Sequence, residues 1–140
     1  MDEFIKKYQR DEFYNAIPKS YKRVINEPDY DLLIEATKSG DINTVKKLCG
    51  KYRKEQGLDE LLECAVFYGH LDIIKVLILN GGNNHISLRT FIQRGIMNFS
   101  NSKCLNAYLY GDNYNGVVLT KEEEVLVKRY SDIRDYLKSL

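Results

Sequence analysis

The residues best equipped for chemistry are Cys64 and His70, with Cys49, Cys104 and His85 as further soft donors. A catalytic thiol needs a base within hydrogen-bond reach. His70 follows Cys64 by six positions with Gly69 between them, so the ring lies past a turn instead of on the thiol's helical face. Structural zinc sites use C-x-x-C or H-x-x-x-H spacing, and no pair among these cysteines and histidines has it. Glu122, Glu123 and Glu124 are consecutive, which spreads three carboxylates around a helix instead of converging two on one substrate. They suit a helix N-terminus, where negative charge is favourable. The sequence has no G-x-x-x-x-G-K-S/T, G-x-G-x-x-G or H-E-x-x-H, and Gly81-Gly82 alone is too little for a phosphate loop. The expectation is a protein that is not an enzyme, with no cofactor, no metal and no catalytic residue.

Two stretches combine positive charge with aromatic rings. Lys46, Lys47, Lys51, Arg53 and Lys54 surround Tyr52, while Lys6, Lys7, Arg10, Lys19, Lys22 and Arg23 alternate with Tyr8, Tyr14 and Tyr21. Such surfaces can engage phosphates, stack on bases or meet an acidic protein patch. Set against that, 21 Lys and Arg face 20 Asp and Glu, so a formal charge of +1 supplies no global field. A solvated helix end is the competing reading of the first stretch, and Asp11 and Glu12 dilute the second. Nucleic-acid binding through these segments is therefore the alternative function.

The elements that would position these residues are helical. At 140 residues with 44% hydrophobic side chains, the chain can bury one continuous core without disulfides or metal. Three widely spaced cysteines point to a reducing compartment. The longest apolar run, residues 73–79, is broken by Lys75, and the N-terminus is charged from Asp2; neither a signal peptide nor a membrane span is expected. The protein reads as cytoplasmic or otherwise intracellular, which leaves the sequon at Asn98 unused. Its abundance of Asn, Lys, Ile and Tyr and its lack of Trp are what AT-rich coding in a virus or intracellular parasite would produce.

Residues 2–17 carry Phe4, Ile5, Tyr8, Phe13 and Ile17 at helical spacing, closed by Pro18. A connector follows to residue 30, with Pro28 breaking the chain and Asp31 as N-cap of the next helix. Then two hairpins appear. Leu32, Leu33 and Ala36 precede Gly40, and Ile42, Val45, Leu48 and Cys49 follow it. Leu61, Leu62 and Ala65 precede Gly69, and Leu71, Ile74, Leu77 and Ile78 follow it, with Asp59 as N-cap. A shift of 29 superposes Gly40 on Gly69, Leu33 on Leu62, Ala36 on Ala65 and Leu48 on Leu77. A third, decayed copy runs from Ser87 through Leu88, Phe91 and Ile92 to Gly95, and resumes at Leu105, Tyr108 and Leu109. The insert at 98–102 leaves open that this is an unrelated cap. Thr120 and Glu123 form a capping box for a terminal helix with Leu126, Tyr130, Ile133, Leu137 and Leu140 on one face.

The stretch from Ala65 through Gly69-His70-Leu71 to Gly81-Gly82 resembles the second half of an ankyrin repeat. Small Ala65 lets helices approach, Gly69 turns the chain, and Ile74, Leu77 and Ile78 fill the layer between repeats. The family's Thr-Pro-Leu-His opening is altered to Asp31, Leu32, Leu33 and Ile34, then to Glu60, Leu61, Leu62 and Glu63. The spacing of 29 is below the family's roughly 33 residues, which implies a reduced finger between Cys49 and Glu60. The resemblance implies an all-α, short ankyrin-like stack of helical hairpins in a single domain. Residues 1–30 would be a helical cap, 31–82 two repeats, 83–113 a divergent third hairpin and 114–140 a capping helix. It further implies a protein partner, met on the concave face at Lys38, Ser39, Phe67 and Tyr68, unless the flanking segments bury the two aromatics. A protein-interaction module, with an effector or inhibitor role suggested by size and composition, is the leading reading.

Overall fold

A computed structural model describes residues 28–52, 57–82, 88–99, 102–111, 116 and 118–140. The described residues form seven α-helices and no strand: α1 (Pro28–Ser39), α2 (Ile42–Leu48), α3 (Leu58–Tyr68), α4 (Leu71–Leu79), α5 (Leu88–Phe99), α6 (Ser102–Tyr110) and α7 (Lys121–Ser139). A 3₁₀ turn, Cys49–Lys51, extends α2.

The helices pair as hairpins α1–α2, α3–α4 and α5–α6, and the hairpins stack. Helices α1, α3 and α5 form a row with α3 in the centre, and α2 lies against α4. Because α3 is covered from both sides, every one of its residues except Asp59 is buried. Helix α2 is peripheral and buries only Val45, whereas α4 buries Ile73, Ile74 and Leu77. Helix α7 crosses the end of the stack against α4, α5 and α6. One apolar cluster runs from Tyr30 through Leu62, Phe67 and Leu77 to Ile92 and Ile133, joining all three hairpins to α7.

Three element boundaries differ from the sequence reading. Residues 28–30, read as connector, belong to α1, so Asp31 lies within the helix and is not its N-cap. Tyr30 is thereby drawn into the core, donating to the Gly57 carbonyl at 2.8 Å and Glu60 Oε2 at 3.1 Å. Helix α3 begins at Leu58 after Gly57 in a left-handed conformation, so Asp59 lies within the first turn and is not the N-cap. Helix α5 runs through Gly95 to Phe99, so the third hairpin has no turn at that glycine. The capping box of α7 forms as expected, with Glu123 N–H donating to Thr120 Oγ1 at 3.1 Å and Thr120 N–H to Glu123 Oε1 at 2.8 Å.

Candidate functional site

The first two hairpins turn in the same way. Gly40 (φ +84°) and Gly69 (φ +79°) sit in the left-handed region that glycine enters without a Cβ penalty. Asp41 N–H reaches back to the Ala36 carbonyl and His70 N–H to the Ala65 carbonyl, each at 2.9 Å, closing the last helical carbonyls. The two helix starts that follow differ. Asp41 caps α2 with its own carboxylate, taking Thr44 Oγ1 at 2.7 Å and Thr44 N–H at 3.2 Å. Those two bonds, the hydroxyl first, hold its carboxyl below the usual range. His70, the N-cap of α4, instead turns its ring back: Nε2 donates to the Lys38 carbonyl at 2.9 Å. A Cβ on Gly40 would stand 2.9 Å from His70 Cε1, so the ring is pressed onto the first turn.

Between these turns and α7 lies a groove of about 460 Å³. Gly40 and Gly69 line its floor, His70, Leu71 and Asp72 one wall, and Val125, Lys128, Arg129 and Asp132 of α7 the other. Its formal charges balance, Asp72 and Asp132 against Lys128 and Arg129. Lys128 and Asp132 pair at 3.1 Å on the rim, where solvent leaves such a bridge worth little. Val125 places a half-exposed apolar side chain beside them. The groove thus combines charges of both signs with an exposed apolar side chain.

The residues singled out on the concave face are placed differently from expectation. Phe67 and Tyr68 are 1% and 0% exposed, with rings 5.0 Å apart edge to face, and Lys38 is also buried. Ser39 is half-buried, its hydroxyl turned to the Ala36 carbonyl. Helices α5 and α7 close over the end of α3: Tyr130 Oη donates to the Phe67 carbonyl, and the Gly95 backbone passes close enough that a Cβ there would lie 2.3 Å from that oxygen. The buried alternative therefore describes Phe67 and Tyr68, and Lys38 lays its ammonium 5.9 Å above the Tyr68 ring.

The basic cluster is also altered. Lys46 and Lys47 are exposed on α2, but Lys51 pairs with Asp29 at 2.6 Å and Tyr52 is buried, edge to face with Tyr30 at 5.1 Å. The aromatic partner that base stacking would require is thus inside the core. Arg53, Lys54, His85 and the basic N-terminal stretch lie outside the described residues. Cys49, Cys64 and Cys104 are buried thiols, and burial pushes the Cys49 thiol up. Among the described residues, no three His, Cys, Asp or Glu side chains group as metal ligands. Glu123 is the cap residue the sequence predicted, and Lys103 at 2.7 Å, ahead of the Thr120 amide, holds its carboxyl below the usual range.

Sequence reasoning missed Val125, Lys128, Arg129 and Asp132. They lie off the apolar stripe of α7, and no pattern in the chain says that this helix returns to the turns. Comparison with family models, curated proteins and solved structures returns no match for this chain. Among the described residues, no helix is long and apolar enough to cross a membrane.

Proposed function

We propose that this chain is a non-enzymatic protein-interaction module built on ankyrin-like hairpins, and that it meets its partner along the groove between the turns and α7. The repeat part of the reading is supported by two glycine turns 29 positions apart with the same back-bonding to a buried alanine and by the ring of the second turn bonded to the first. The binding part rests on one observation. The groove is open, about 460 Å³ in volume, and lined by charges of both signs around the half-exposed Val125. A partner segment with its own mixed charge fits it better than a polyanion, whose phosphates would meet Asp72 and Asp132. An effector or inhibitor acting inside a host cell is consistent with the small size and the compositional bias.

The test is affinity capture from the native source with mass spectrometry, comparing the natural chain with Val125→Asp and with Lys128→Glu. Both positions are exposed, so helicity and melting temperature should hold while the specific partner is lost. Retention of the same partner by both variants would remove the groove as the contact surface.

A further inference from the structure

In the shared register, Phe67 is the counterpart of Lys38, 29 positions on. The Lys38 carbonyl receives the His70 ring from the following hairpin, whose ring also packs on Gly40. The Phe67 carbonyl receives the Tyr130 hydroxyl from α7, and Gly69 packs on Tyr130 and Arg129: a Cβ there would lie 3.2 Å from Tyr130 Cζ and Oη and 2.8 Å from Arg129 Cδ. Each turn is thus a seat with the same two parts, a glycine face and an outward carbonyl, and each holds a ring with a donor at its tip. The chain's own third hairpin cannot fill the second seat. The counterpart of His70 there is Phe99, which has no side-chain donor and lies inside α5 with no turn before it.

We infer that α7 is a surrogate hairpin, a stopper that seats Tyr130 where the ring of a following hairpin would dock and so closes the stack to any further hairpin, including one from another molecule. Gly95 makes the arrangement possible. A Cβ on it would fall 2.6 Å from Tyr130 Oη as well as on the Phe67 carbonyl, so only glycine lets α5 lie beside the seat while α7 reaches over it. The inference stands on the two turns and α7, independently of whether the groove binds a protein.

A stopper held at a seat should open as a unit, whereas a residue that merely fills a core should loosen the whole fold. The experiment is hydrogen–deuterium exchange by mass spectrometry on the full chain, with Tyr130→Phe, which keeps the ring and removes the donor. Losing the hydrogen bond from Tyr130 to the Phe67 carbonyl predicts exchange faster by about tenfold in the amides of residues 121–139 and 67–69, with α1 and α2 unchanged. The mirror variant, His70→Phe, likewise keeps a ring and removes the donor from the first seat, and should accelerate α1 and α2 while sparing α7. If Tyr130→Phe speeds all helices alike, or none, the stopper is refuted. If His70→Phe does not fold, the Tyr130→Phe pattern alone decides.

Discussion

Phe67 and Tyr68 show how a side chain's role depends on what reaches it from elsewhere in the chain. Two adjacent aromatics before a turn glycine read naturally as exposed anchors, yet both are enclosed because Gly95 admits α5 and Tyr130 reaches the Phe67 carbonyl. As core residues they should be costly to truncate. Phe67→Ala is expected to destabilise the fold by about 3–5 kcal/mol and Leu77→Ala by roughly 2–5 kcal/mol, through lost transfer energy plus a cavity. Chemical denaturation of each variant measures this. At Gly69 two costs coincide: alanine must adopt a left-handed backbone, roughly 1–2 kcal/mol, and its Cβ meets Arg129 and Tyr130. Gly69→Ala should therefore lower the melting temperature and loosen α7.

Charge at the residue scale also predicts pH behaviour. Glu123 is held below the usual carboxylate range by Lys103 and the Thr120 amide. A carboxyl depressed in the fold adds stability above its unfolded value and loses it as pH falls through the folded one. Melting temperature should accordingly fall from about pH 5 downward, and Glu123→Gln should lower it at neutral pH and flatten the acid limb. An acid limb identical in the natural chain and Glu123→Gln would show that this carboxyl is not coupled to folding.

At the scale of elements, the first two hairpins and the last helix were legible because local signals and global packing agree there. Period-3.6 stripes, a glycine at each turn, and Thr120 with Glu123 in capping register all coincide with the helices formed. Thr120→Ala should cost about 1 kcal/mol of stability through the lost cap, read as a shift in denaturation midpoint. Helix α5 was misread because glycine has two uses. Gly95 resembles a terminator, but it serves close approach to the Phe67 carbonyl and the helix continues to Phe99. Residues 28–30 join α1 for a similar reason, since Tyr30 is held by Gly57 and Glu60 far along the chain. No local signal distinguishes these uses, because the deciding atoms belong to residues tens of positions away.

For the whole molecule, the position of α7 determines both the surfaces and the energetics. It buries the end of α3, supplies one wall of the groove and packs on three other helices. The charge balance read from composition recurs in the groove, where Asp72 and Asp132 offset Lys128 and Arg129. Binding there should depend only weakly on salt, since few counterions would be released. A titration of the captured partner between low and high ionic strength tests this, and a steep loss of affinity would point instead to a polyanion on Lys46 and Lys47.

The three buried thiols are distributed one to a hairpin: Cys49 follows α2, Cys64 lies in α3 and Cys104 in α6. The natural sequence therefore carries its own set of clocks. An alkylating reagent can reach each sulfur only when that part of the molecule opens, so modification rates time the three hairpins separately without any engineered label. A molecule that unfolds in one step would run all three together, and one that frays from an end would run them in sequence.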